Sequence, residues 1–419
     1  MTTCLRNGLV YTSKGFVKKD LFVSPKDVSF VNNSSTSRII DCTGKVILPG
    51  FVDVHVHLRE PGFFYKETIK SGTKAAAKGG YTTVCSMPNV KPSPVDLETL
   101  KVQLDIIQKD AVINVIPYGR ISNHLNEDLA DLENMAPYVC GYSDDGKGVQ
   151  NQTLMIEAME KAKQLNKLIV AHCEDESLVN NGYIHDGEYA KIHHHQGIPS
   201  ISEWIQVKRD IELVKQTGCK YHVCHVSSKE SVDLIRKAKK EGVDISCETA
   251  AHYLLLTDLD LKEEGRFKMN PPLRSEEDKL ALIEGIKDGT VDMIASDHAP
   301  HSEEEKNKGL KNSLFGIVGL ETTFSLLYTY LVKTNLISLE KLVEIMAINP
   351  AKRFNLDGGY IAEGSKPNLV IVDLNEEETI DSQKFVSQGK ATPFDGYKVN
   401  GIINKTIYQG EVVYDKDNA

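Results

Sequence analysis

The sequence predicts an α/β chain: a (β/α)8 TIM-like barrel with a small composite β-sandwich domain formed by both chain ends. Three observations lead there. Between Val46 and about residue 297, eight short β-branched runs alternate with polar loops and helical patterns. These runs are apolar throughout, which suits parallel strands buried on both faces. The two ends, 1–45 and 356–419, lack long helical stripes. They carry strand-like pieces such as Gly8–Tyr11, Asn368–Val372 and Thr406–Tyr408 among Gly, Asn, Asp and Ser. The expected division is therefore 1–45 plus 356–419 for the β domain and 46–355 for the barrel.

In chain order, the strand runs are Val52–His57, Thr82–Met87, Val112–Pro117, Tyr138–Ser143, Leu168–His172, Tyr221–Val226, Val243–Glu248 and Val291–Ser296. Amphipathic stripes lie between them. Leu97, Leu100, Leu104 and Ile107 form one, and Leu154, Ala158, Ala162 and Leu165 another. Leu320, Phe324, Leu327 and Leu331 form a third after the last strand. An open doubly wound sheet shares this alternation, and periodicity alone leaves the two architectures nearly level.

Composition narrows the function classes. With 49 basic and 59 acidic side chains the net charge is −10, which argues against nucleic acid as a partner. No apolar run approaches the roughly 18 residues of a membrane span, and Met1–Arg6 has no apolar signal core. The eight cysteines are scattered without a C-x-x-C pair, so a reduced, cytoplasmic chain is expected.

The chemistry gathers at strand ends. His55 and His57 are spaced to share a strand face and converge on one ion. The fourth strand ends in Ser143-Asp144-Asp145-Gly146, the fifth in Ala171-His172-Cys173-Glu174 and the eighth in Ser296-Asp297-His298-Ala299-Pro300-His301. The sixth contains Cys224-His225. A barrel presents all these ends on one face. Imidazoles and carboxylates there suit a borderline divalent metal such as zinc, and six potential ligands suggest two ions with a bridging carboxylate and a bridging hydroxide. His193-His194-His195 lies in a Gly-rich connection and reads as a solvated loop. His222 reads as barrel–helix packing, His298 as a packing residue turned from Asp297, and Cys173 as facing away from the metals. Trp204 reads as helix packing, and His124, His185 and His252 have no partner visible in the sequence.

At these residues the chain resembles the metal-dependent amidohydrolases, and within them the dihydroorotases of bacterial type I. The segment Pro49–Gly62 carries the H-x-H shared by the superfamily, followed by the narrower Leu58-Arg59-Glu60-Pro61-Gly62. Met87-Pro88-Asn89, Cys224–Ser228, Met269–Arg274 and Phe315-Gly316 also match. Gly359–Val370 resembles the superfamily's return into its small β domain, with Pro367-Asn368 where Ala-Asp is usual.

The resemblance implies reversible cyclisation of N-carbamoyl-L-aspartate to (S)-dihydroorotate in de novo pyrimidine (UMP) biosynthesis. His55, His57 and Asp297 would hold one zinc and His172 and His225 the other, with Asp145 bridging. Many relatives bridge with a carboxylated lysine, but here the fourth strand ends without one and Lys147 follows in the loop. Arg59, Asn89 and His301 would clamp the substrate carboxylate, while Asn270, Phe315 and Gly316 would read the ring amides. Asp297 would act as general acid and base. Hydantoinases and allantoinases, the rival hydrolases, usually differ at the bridge and at Arg59. A non-catalytic scaffold, the other rival, would have lost ligands. A homodimer is expected, and an association with aspartate carbamoyltransferase is open.

Overall fold

The computed structural model describes residues 2–32, 36–123 and 128–418, so His124 lies outside the described residues. Eight parallel strands form the barrel wall: β1 Phe51–Val56, β2 Tyr81–Ser86, β3 Asn114–Pro117, β4 Gly141–Tyr142, β5 Leu168–Ala171, β6 Lys220–Val223, β7 Ile245–Thr249 and β8 Met293–Ile294. Ladders join β1 to β3 and β4 to β8 in sequence order. Single bridges, Gly119 to Tyr142 and Val56 to His298, close the two remaining seams. This closure distinguishes the barrel from an open doubly wound sheet.

The helices between strands start where the sequence supplies caps. Thr68, Asp96 and Ser275 each accept from the backbone N–H three residues on, in reciprocal capping boxes. Gly218 and Gly289 end their helices in the left-handed conformation. The predicted stripes face inward: Leu100, Leu154, Ala158 and Ala162 are buried, as are Leu320, Phe324, Leu327 and Leu331. Truncating one such leucine to alanine costs about 2–5 kcal/mol. Val52, Val54, Cys85, Met87, Val170, Cys224, Met293 and Phe354 belong to a separate buried cluster that fills the barrel.

Both chain ends build the second domain. A six-stranded sheet runs Glu411–Asp415, Lys398–Tyr408, Leu369–Thr379, Val46–Pro49, Leu9–Thr12, Gly15–Lys18. A four-stranded sheet runs Val28–Ser29, Leu21–Val23, Thr2–Arg6, Thr36–Asp41. The expected boundary at residue 46 shifts. Val46 and Ile47 pair with Leu9 and Val10, and Val46–Pro49 with Leu369–Val372, so the barrel starts only at Phe51. Gly50 makes the passage; a Cβ there would lie 2.3 Å from the Thr82 side chain.

Strand ends also differ from expectation. Ala136–Tyr138 forms a 3-10 turn, leaving only Gly141–Tyr142 as the fourth strand. No helix among the described residues is long and apolar enough to cross a membrane.

Candidate metal centre and substrate cavity

Two irregularities aim the first ligands. Along β1, Val52 and Val54 point into the barrel, and strict alternation would send His55 outward. The β1–β2 register slips by one residue between Asp53 and Val56. This bulge turns His55 inward as well. Asp53 satisfies the disturbed backbone, its carboxylate accepting from His55 N–H and Ser296 N–H, each at 3.0 Å. Beyond β6, His225 has φ of 30°, so His222, Cys224 and His225 all face the interior. The expectation that His222 packs outward is therefore corrected. Its Nε2 donates to Glu248 Oε2 at 3.1 Å, and its Nδ1 accepts from Ser246 Oγ at 2.7 Å.

Six side chains converge from five strand ends. His55, His57 and Asp297 form one group of potential ligand atoms, and Asp145, His172 and His225 another, with separations inside each group below 4.8 Å. Asp145 faces both. Its Oδ1 lies 3.4 Å from His55 Nε2, 3.4 Å from His225 Nε2 and 3.6 Å from His172 Nδ1, and its Oδ2 lies 3.5 Å from His57 Nε2. Asp144 turns away, pairing with Arg120 Nε at 3.1 Å and accepting from Ile121 N–H. Lys147 is exposed. Asp297 Oδ1 stands 3.0 Å from His57 Nε2 and 3.4 Å from His55 Nε2.

The imidazoles are oriented from behind. His55 Nδ1 donates to Glu248 Oε1 at 2.7 Å and His57 Nδ1 to Asn89 Oδ1 at 2.9 Å, so each ring turns its Nε2 edge to the centre. His172 presents Nδ1, 2.9 Å from His225 Nε2. Burial opposes protonation of His55, but Asp145, Cys224, Asp297 and Glu248 push it well above the usual histidine range. Burial likewise opposes ionisation of Asp145, but the histidines hold its carboxyl well below the carboxylate range. Such a concentration of buried carboxylates draws cations. His55 Nε2 and Asp145 Oδ1 are buried with no hydrogen-bond partner among the described residues.

The centre lines a cavity of about 260 Å³ whose opposite end is cationic. Arg59, with φ of 61°, donates from Nε to Pro300 O at 3.0 Å, and its Nη2 lies 3.2 Å from His301 Nε2. Burial pulls its guanidinium down to about 10, still charged at neutral pH. Gly62 allows this loop to turn; its φ is 96° and a Cβ would meet Lys91 O at 2.6 Å. Lys66 Nζ lies 3.3 Å from His301 Nδ1 and 3.0 Å from Glu305 Oε1. Burial, then Arg59 and Lys66, push His301 down to about 3, so its ring is neutral.

Asn89, Asn270, Phe315 and Gly316 also line the cavity. Asn270 donates to Glu174 Oε2 at 3.1 Å, and its Oδ1 has no partner among the described residues. The expected role of Phe315-Gly316 is narrowed. Phe315 O already lies 2.8 Å from His301 Nε2, and Gly316 N–H donates to Lys268 O at 3.1 Å. Among the remaining histidines, His185 Nδ1 lies 3.2 Å from Arg274 Nη1, and His195 pairs with Glu263 at 2.7 Å.

The C-terminal domain braces the loops that carry Asp297 and Gly316. Val318 N–H donates to Ala391 O at 2.9 Å. Buried Glu67 accepts from Ser387 Oγ and Gln388 N–H and lies 3.5 Å from His298 Nε2. The other His298 nitrogen accepts from Gly319 N–H at 3.3 Å. Nothing in the sequence marks Glu67, Lys66 or Glu248, because their partners come from distant segments.

Known proteins resemble this chain in sequence and in fold. A family model described as Dihydro-orotase-like matches residues 44–231. Dihydroorotases of Fusobacterium nucleatum and Listeria innocua are each 47% identical, covering 99% and 98% of this chain and the same shares of their own. Among solved structures, the L-hydantoinase of Arthrobacter aurescens superposes with a TM-score of 0.88 at 28% identity, covering 99% of this chain and 96% of that one. The dihydropyrimidinase of Brevibacillus agri, at 23% identity and a TM-score of 0.86 over 99% of this chain and 95% of that one, shares the fold. On these likenesses, the chain belongs to the dihydroorotase family of the amidohydrolase superfamily.

Proposed function

We propose that this enzyme closes N-carbamoyl-L-aspartate reversibly to (S)-dihydroorotate, with release of water, in de novo pyrimidine (UMP) biosynthesis. The observation that carries the reading is one small cavity with a six-residue ligand cluster at one end and a buried guanidinium at the other. His55, His57 and Asp297 would hold one zinc ion and His172 and His225 the other, with Asp145 between them. The buried Nε2 of His55 and Oδ1 of Asp145, without hydrogen-bond partners among the described residues, support that fit. When bound, such ions lower the pKa of a shared water and polarise a substrate carbonyl.

The chain's own groups do the rest. The Arg59 fork grips the carboxylate that substrate and product share, and the Asn89 Nδ2–H group and His301 flank it. Asn270 Oδ1, the Phe315 N–H and the Gly316 carbonyl read the ureido edge that becomes the ring amides. In ring opening, Asp297 takes a proton from the attacking water and delivers it to the ring nitrogen as its bond to the carbonyl carbon breaks. In closure the ureido nitrogen attacks the side-chain carboxyl carbon and gives a proton to Asp297, which passes it to a carboxyl oxygen; with one further proton from solvent that oxygen leaves as water as its C–O bond breaks. Eight free, buried cysteines support a cytoplasmic setting. The family resemblance is the ground for a homodimer and for an association with aspartate carbamoyltransferase; light scattering with and without that enzyme reads both.

The test is a parallel ultraviolet assay with dihydroorotate, hydantoin and allantoin. Turnover of dihydroorotate alone is expected; faster turnover of hydantoin or allantoin overturns the proposal. A lysine carbamate in a metal-bound crystal would overturn the aspartate bridge.

A further inference from the structure

We infer that Glu248 is the positioning residue that couples the two metal subsites, holding His55 of one and His225 of the other from within the barrel. The inference rests on the two-ion reading above and deepens it. Glu248 stands on β7 and is fully buried. Its Oε1 accepts from His55 Nδ1–H at 2.7 Å and from the His225 backbone N–H at 3.3 Å. Its Oε2 accepts from His222 Nε2–H at 3.1 Å, and His222 is set in turn by Ser246 Oγ at 2.7 Å.

The relay Ser246–His222–Glu248–His55 thus runs beneath the centre with both carboxylate oxygens engaged. A carboxylate behind a ligating imidazole fixes its tautomer, its ring orientation and its basicity. Here the same carboxylate also tethers the backbone of a second ligand. That backbone is held at a φ of 30°, a conformation an L-residue adopts only when its surroundings enforce it. Glu248 does not line the substrate cavity, so it acts through the histidines.

Glu248→Gln is the informative variant. Glutamine keeps the length, its carbonyl can still accept from His55, and its amide can donate to His222 in the other tautomer. The negative charge alone is lost. Wild type and E248Q are purified, stripped and titrated with zinc against a competing chelator, and the visible spectra of the cobalt-loaded forms are compared. Wild type is expected to bind two ions. E248Q is expected to bind both about 10- to 100-fold more weakly, with an altered cobalt spectrum and a metal-free thermal midpoint near that of wild type. Unchanged zinc affinity, or a loss confined to one ion, overturns the coupling. Fewer than two ions on wild type overturns the two-ion reading itself, whatever E248Q does. Should E248Q fail to fold, Ser246→Ala releases the far end of the relay; wild-type affinity and spectrum there overturn the inference.

Discussion

At one end of the substrate cavity, histidines and aspartates stand on or just beyond the tips of barrel strands; at the other, Arg59 and His301 stand on loops, with Lys66 against His301. The strand end is rich in buried negative charge, with Asp145, Asp297 and Glu248 crowded among imidazoles. The loop end is positive, with Glu305 as the acidic partner of Lys66 and His301. Burial pushes Lys306 and Lys268, beyond this end, down to about 7 and about 8, and both donate to backbone carbonyls. This segregation of charge lets a chain of net charge −10 accept an anion. Bulk charge is irrelevant where the two signs are segregated across a cavity of about 260 Å³. The strand end needs bound cations before it tolerates an anionic substrate, whereas the loop end is already complementary.

The largest effect should come from the strand end. Zinc-loaded Asp297→Asn should lose about 10²- to 10⁴-fold in kcat, the usual worth of a general acid–base. Near-normal turnover with full zinc occupancy would remove Asp297 from the proton path. At the loop end, Arg59→Lys keeps the charge and loses the fork. It should cost about 10- to 100-fold in kcat/KM, the worth of a charge-assisted hydrogen bond or two, mostly through KM. A kcat defect with unchanged KM would mean that Arg59 does not hold the ground-state carboxylate. Lys66→Met removes one of the two partners of His301 Nδ1, the other being Glu305, and the cation paired with Glu305. It should raise KM by a few-fold and leave zinc affinity untouched; a fall in zinc affinity would erase the distinction between the two ends.

The smallest effect concerns His252, whose ring is buried without a partner for Nε2 among the described residues. Burial pushes it down to about 4, against about 6.5 in an unfolded chain. Between those values the unfolded state binds more protons, so stability rises with pH and is lost as pH falls below about 6.5. His252→Phe should flatten the acid limb of the metal-free thermal midpoint in that window. An unchanged limb would show that the ring gains its proton while folded.

Much of this was legible in the sequence, and the exceptions have physical causes. Eight apolar runs and their helical stripes gave the barrel rhythm, because burial on both faces leaves a direct mark on composition. Val46–Pro49 misled because a strand in the composite sheet is as apolar as one in the barrel. His222 misled because period-two reasoning assumes a regular strand, and nothing in the sequence announces the positive φ of His225. His55 and His57 do share a side, but a bulge turns them there, with Asp53 filling the broken ladder. Asp144 and Asp145 are alike on paper. Arg120 and the backbone of Ile121 separate them, and both partners lie more than twenty residues away. Glu248 gains its meaning only when β1, β6 and β7 close around it.

The brace that residues 385–391 lay across Glu67, His298 and Val318 bears on the order of biosynthesis. A ribosome that has reached residue 300 has already made every proposed zinc ligand. The loop bearing Asp297 still lacks its outer support, which is encoded almost ninety residues later. The nascent barrel can therefore collect its ligands long before it can hold them in register. Competence for turnover is therefore expected only once residues 385–391 are in place, and a barrel cut before them is expected to lose it.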